Sequence, residues 1–155
     1  MPKKIKDFRV KFNLNLEDSF NKAFLKSVGK TAAQVVYRRT KSGKDKDSSA
    51  LKPLSLGYIS SRKQYTGTKG KFFSPARSNL TRTGQMLDAI LVKIERSVIT
   101  LSVDTSLRDD GLTNSEVAQY VSKSRAFFSL TDDEIQILIR MVEKQLRAFA
   151  RRMNL

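Results

Sequence analysis

The central stretch of the sequence, residues 90–103, reads Ile-Leu-Val-Lys-Ile-Glu-Arg-Ser-Val-Ile-Thr-Leu-Ser-Val. Apolar residues recur at every second position on each side of a polar break at residues 95–97. Period-2 alternation is typical of half-buried β-strands, and the break fits the turn of a hairpin. The alternating apolar residues are Ile90, Val92 and Ile94, then Ile99, Leu101 and Val103. We therefore predict an antiparallel hairpin at the centre of the fold.

The N-terminal part of the chain predicts a further strand and a long helix. Residues 8–14 alternate in the same way as the hairpin. After Asn15, a candidate N-cap with Asp18 in the first turn, the apolar spacing is helical up to about Arg39. The residues of this apolar face are Leu16, Phe20, Phe24, Val28, Ala32 and Val35.

A second long helix is predicted at the C-terminal end. Thr131 and Glu134 have capping-box spacing, and Leu130 with Ile135 has the spacing of a hydrophobic staple. At 100° per residue, one face is apolar and the opposite face is basic. The apolar face comprises Ile135, Leu138, Val142, Leu146, Phe149 and Met153, and the basic face comprises Arg140, Lys144, Arg147 and Arg151.

These elements predict a single α+β domain over residues 1–155, a length that suits one core. The N-terminal strand and the central hairpin form a small antiparallel sheet, which a long N-terminal and a long C-terminal helix pack against. Two short helices are also expected, one over residues 81–89 and one that begins at the Thr113–Glu116 capping box.

Residues 41–79 differ in composition from the rest of the chain. They contain four of the seven Gly, two of the three Pro, and nine Lys or Arg against two acids. A connection this long is usually functional or disordered. We predict an extended basic loop or arm, with a short helical turn opened by Pro53.

The residue types restrict the chemistry that the protein can perform. The chain has no Cys and no His, which excludes disulfides, thiol chemistry, zinc clusters and the commonest general base. Asp109 with Asp110, or Asp104 with Glu116, could bind Mg²⁺, but turn and cap roles account for such acids more simply. We therefore expect no enzyme activity, no metal and no cofactor. No apolar run approaches a membrane span, so no membrane partner is expected.

The net charge of +15 is unevenly distributed along the chain. Residues 1–87 carry +15, residues 88–134 carry −4 and residues 135–155 carry +4. One explanation is nucleic-acid binding by the basic arm and its aromatic residues. The other is self-assembly, in which a basic surface of one subunit meets an acidic surface of the next.

Three segments resemble the tail-completion and virion-morphogenesis (neck, head-tail joining) proteins of tailed bacteriophages. The first is Leu51 to Ser55, followed by Tyr58 and Lys63. The second is residues 80–87, Leu-Thr-Arg-Thr-Gly-Gln-Met-Leu, and the third is residues 125–134, Arg-Ala-Phe-Phe-Ser-Leu-Thr-Asp-Asp-Glu. The segments follow the order that the family has.

The resemblance implies a structural virion protein of the phage neck, a tail-completion or tail-terminator subunit made in the host cytoplasm. It implies a homo-oligomeric ring, with a hexamer favoured over a dodecamer. The adjacent partners would be connector or head-completion proteins and tail-tube proteins, with packaged DNA as a further contact. A basic nucleic-acid-binding protein that uses the 41–79 arm is the alternative.

We assign sixteen residues to the arm and to interfaces on this interpretation. They are Lys52, Tyr58, Arg62, Lys63, Lys69, Lys71, Phe72, Phe73, Arg77, Arg125, Phe127, Phe128, Arg140, Lys144, Arg147 and Arg151.

Overall fold

A computed structural model of the chain describes residues 9–13, 21–108 and 110–152. This described part contains three strands and five helices in an α+β arrangement. In chain order they are β1 (Arg9–Asn13), α1 (Lys22–Lys41), α2 (Leu56–Lys63), α3 (Gln85–Asp88), β2 (Ile90–Glu95), β3 (Val98–Val103), α4 (Asn114–Ser122) and α5 (Asp132–Arg152).

The predicted central hairpin is confirmed. Strands β2 and β3 pair antiparallel from Ile90 opposite Val103 to Glu95 opposite Val98. The two-residue turn holds Arg96 at a positive φ of 54°, as tight hairpin turns require. Strand β1 runs antiparallel along the other edge of β3, which gives the sheet order β1-β3-β2. The predicted strand ends, Phe8 and Leu14, lie outside the described residues.

Helix α1 packs on the hairpin through its small and β-branched residues. Val28, Ala32 and Val36 are fully buried. Val36 rather than the predicted Val35 completes the buried face, because positions i, i+4 and i+8 follow one helical stripe. Asn21 is the N-cap of this helix, and its side chain accepts from the Phe24 amide at 2.8 Å. The predicted N-cap Asn15 lies outside the described residues.

Gly29 explains how closely α1 approaches the sheet. A Cβ atom at this position would overlap Val92 Cγ1 and would lie 3.0 Å from Ile99 Cγ2. The absence of a side chain therefore permits the contact between the helix and the hairpin, although glycine lowers intrinsic helix stability.

The predicted capping boxes of α4 and α5 are both confirmed. The Thr131 hydroxyl accepts from the Glu134 amide at 3.2 Å, and Glu134 Oε2 accepts from the Thr131 amide at 2.9 Å. Thr113 and Glu116 make the same reciprocal pair. Behind these caps, Leu138 of α5 and Ala118 of α4 enter the core with Phe127 and Phe128.

Two local predictions require correction. The helix expected over residues 81–89 is only the short α3, because the Thr81 hydroxyl donates to the Phe72 carbonyl at 2.9 Å and Gly84 adopts a φ of +79°. Such side-chain bonds compete with helix formation. Within the arm, Ser55 rather than Pro53 opens the helix, by accepting from the Tyr58 amide at 3.3 Å.

Candidate assembly surface

Residues 41–79 carry α2 and lie against the rest of the domain. The Lys46 amide donates to the Ala126 carbonyl at 2.7 Å, and Leu51 is buried. Arg77 Nη2 donates to the Ser42 carbonyl at 3.2 Å. The segment thus has internal order without a second subunit.

Arg125 attaches the arm to the segment between α4 and α5. Its Nε donates to the Lys52 carbonyl and to Ser78 Oγ, both at 3.0 Å, and its Nη2 donates to the Pro53 carbonyl at 3.1 Å. The guanidinium that we assigned to an interface therefore joins two parts of its own chain.

Gly70 allows a second attachment that the sequence did not reveal. Its amide donates to the Arg82 carbonyl at 2.9 Å, and a Cβ atom would lie 2.5 Å from the Thr81 carbonyl oxygen. Gly70 therefore has a packing role at this position.

The aromatic rings of the arm are covered by cations of the same chain. The pairs are Lys41 with Phe72 at 3.5 Å, Arg62 with Phe73 at 5.0 Å, and Arg82 with Tyr65 at 4.2 Å from the ring centroids. Lys71 and Lys69 also approach Phe72 and Phe73. Rings in such contacts offer less free face for stacking on nucleic-acid bases.

Seven of the nine cations in residues 41–79 are exposed. Lys41 is half-buried, and Arg62 is buried with 3% of its surface accessible. The exposed candidates are Lys52, Lys63, Lys69, Lys71 and Arg77.

Phe127 and Phe128 belong to the core of the subunit. Phe127 is fully buried and Phe128 is 9% exposed, and their rings meet edge to face with centroids 5.8 Å apart. These two interface candidates therefore anchor the start of α5 in the core of their own subunit. Two aromatic residues just before a helix commonly have this packing role.

Helix α5 presents its basic side chains to solvent. Arg140, Lys144, Arg147 and Arg151 are exposed, and Arg147 Nη2 makes only a long contact of 3.9 Å with Glu143. Asp132 and Asp133 are exposed in the first turn of the helix, and Glu143 is exposed among the cations. At about 1.5 Å per residue, Arg140 lies roughly 12 Å and Arg151 roughly 28 Å along the helix axis from Asp132.

The apolar face of α5 extends beyond the core. Leu138 and Val142 are buried in its first half, whereas Leu146 and Phe149 on the same face are 41% and 46% exposed. Ile135 and Ile139 are partly exposed along the edge of this face. Met153 lies outside the described residues. We call this whole surface the α5 apolar face; Leu138 and Val142 are its buried part, and Ile135, Ile139, Leu146 and Phe149 are its exposed part.

The acidic residues considered for a magnesium site have other partners. Asp104 accepts from Asn114 Nδ2 at 3.0 Å and from the Ser106 amide at 3.1 Å, while Glu116 caps α4. Asp110 pairs with Arg108, and Asp109 lies outside the described residues. Within the described chain, no three acidic side chains gather as metal ligands.

Comparison with known proteins identifies no relative: no protein-family model, characterised protein or solved structure matches the chain. Among the described helices, none has the length and apolar character needed to cross a membrane.

Proposed function

We propose that this protein is a structural subunit of a bacteriophage neck, which assembles into a ring at the interface between head and tail. The resemblance of the three segments supports the place in a phage neck, and the α5 apolar face, which continues past the core and leaves Leu146 and Phe149 exposed, supports the assembly. Exposed apolar surface of this kind is typical of protein-protein contacts. A second copy of the chain is the occupant that we propose.

The charges of α5 support a contact between unlike surfaces of neighbouring copies. Two of its three exposed acids, Asp132 and Asp133, lie in the first turn, whereas its exposed cations and Glu143 lie along the later turns. Complementary charges at two different places on one subunit favour a head-to-tail contact, and such a contact forms a ring when the rotation closes. We propose six subunits, with twelve as the alternative.

The proposal includes no catalytic step. Asp104 and Asp110 are engaged in turns, and Glu116 caps a helix. The neighbours of the ring would be a connector or head-completion protein on one side and a tail-tube protein on the other. The order of the three resembling segments is the reason for choosing these partners.

Light scattering of the purified protein, alone and mixed with candidate connector and tail-tube proteins, tests this function. We expect one closed oligomer of defined mass that binds at least one of these proteins. A strict monomer in every mixture would contradict the proposal. Steeply salt-dependent duplex binding that is lost on replacing the exposed Lys52, Lys63, Lys69 and Lys71 by Gln would favour the nucleic-acid alternative.

A further inference from the structure

A cleft rich in arginine lies between α2, the loop that precedes α3, and α4. Its volume is about 360 Å³. Arg62, Arg82, Arg108 and Arg125 line it, and Asp110 is the single acid among the described lining residues. The cleft therefore has a large positive excess within a small volume.

Arg62 is the most deeply buried of these cations. Its Nη1 donates to the Arg77 carbonyl at 3.1 Å. Its Nε and Nη2 are buried and have no hydrogen-bond partner among the described residues, and the same is true of Arg82 Nε. Burial lowers the pKa of Arg62; nearby Tyr58 opposes this effect and nearby Arg82 adds to it.

The other two arginines of the cleft already have partners. Arg108 Nη2 lies 3.2 Å from Asp110 Oδ2, and Arg125 donates to two carbonyls of the arm. The unpaired donors are thus concentrated on Arg62 and Arg82. Buried donors without partners are rare in folded proteins, and they often mark a place where an ion, a water molecule or a ligand binds.

Part of the cleft wall is apolar. Leu80, Met86, Val117 and Val121 line it. Clefts that combine apolar walls with a few directed polar groups are the usual form of ligand sites. The best ligand for this cleft has an anionic group joined to an apolar one.

We propose that this cleft binds an acidic segment of another protein, with a carboxylate on Arg62 and Arg82 and an adjacent apolar side chain against the walls. The planar guanidinium matches a carboxylate in a bidentate arrangement. A nucleic-acid strand fits less well, because its backbone has no apolar group for these walls and the exposed lysines of the arm do not line the cleft. This proposal does not depend on ring formation.

Tetrapeptide binding followed by ¹H–¹⁵N NMR tests the proposal on the full chain. The probe is glycyl-tryptophyl-glutamyl-glycine, blocked at both ends, and the tryptophan also serves as a fluorescence reporter because the chain has none. We expect amide shifts at Arg62, Arg82 and Val121. The corresponding glutaminyl peptide should bind about tenfold more weakly, because it lacks the charge that strengthens hydrogen bonds.

The variants Arg62→Met and Arg82→Met should each weaken binding about tenfold. Lys63→Met is the matched control, because Lys63 is the exposed neighbour of Arg62 and does not line the cleft. The NMR spectrum of each variant reports whether it is folded. If Arg62→Met does not fold, Arg82→Met alone tests the loss of binding. Equal binding of the two peptides, no shifts at cleft amides, or displacement of the peptide by oligothymidylate would each overturn the proposal.

Discussion

Arg39 at the end of α1 and Glu134 in the first turn of α5 form a buried ion pair across 95 residues of sequence. Their side chains are 5% and 10% exposed. Arg39 Nη2 also donates to the carbonyls of Phe127 and Ser129, at 2.6 and 2.8 Å. Glu134 therefore caps its own helix and fixes that helix to α1 at the same time.

Replacing Arg39 by Met should lower the free energy of unfolding by about 3–5 kcal/mol, because a buried carboxylate would lose its partner. Urea denaturation measures the change. Lys93→Met is the control, since the Lys93–Glu95 pair is exposed and should contribute no more than about 1 kcal/mol. Similar losses in the two variants would argue against a special role for the buried pair.

Replacing Gly29 by Ala should destabilise the protein although alanine favours helices. The gain in helix propensity is about 1 kcal/mol, whereas forcing a methyl group against Val92 costs about 1–3 kcal/mol. Gly57→Ala in α2 is the matched control, because its Cβ meets no atom within 4 Å and the change should stabilise. Thermal unfolding compares the two, and a stabilised Gly29→Ala protein would show that α1 is not so close to the sheet.

Replacing Phe128 by Ala should lower the melting temperature of the isolated subunit. Removing a buried phenylalanine costs about 3–5 kcal/mol. Differential scanning calorimetry measures the shift, with Leu107→Ala as a control at a position that is 74% exposed. Normal melting together with failed assembly would instead place Phe128 in a subunit interface.

Replacing Asp104 by Asn should lower stability at pH 7 and have less effect in acid. The hydrogen bond from Asn114, with those from Ser106, lowers the pKa of Asp104 against a smaller opposing effect of burial. The stabilisation is therefore present above the ordinary carboxyl pKa of about 4 and is lost as the pH falls through the lower folded-state value. Urea denaturation at pH 7 and near pH 2.5 should show that the free energies of unfolding of the unaltered protein and Asp104→Asn approach each other in acid. The same difference between the two proteins at both pH values would be evidence against this role of Asp104.

Local patterns predicted the hairpin, the two long helices and both capping boxes. These features depend on residues close in sequence, such as Thr131 and Glu134. The pairing of Arg39 with Glu134 and the attachment of the arm by Arg125 join residues far apart in sequence, so periodicity and capping rules carry no information about them. The helix predicted over residues 81–89 failed for the same reason, since Phe72 provides the competing hydrogen-bond acceptor.

The sequence predicts the placement of some candidate interface residues but not of others. The basic face of α5 could be predicted, because helical periodicity alone places Arg140 and Lys144 on one side. The burial of Arg62 could not, because it depends on how the arm folds back over residues 77–82. The exposed half of the α5 apolar face was also unpredictable, since sequence periodicity does not show where the core ends.

The mass of the purified protein in solution tests ring formation most directly, and Phe149→Ser and Ile137→Ser make the test specific. Both side chains are 46% exposed, but Phe149 lies on the α5 apolar face and Ile137 lies on the other side of the helix. Light scattering should give the unaltered protein and Ile137→Ser about six times the subunit mass of 17.6 kDa, and Phe149→Ser a folded monomer. An unaltered protein that stays monomeric alone and in every mixture with the partner proteins, or the same oligomer in all three proteins, would contradict the account.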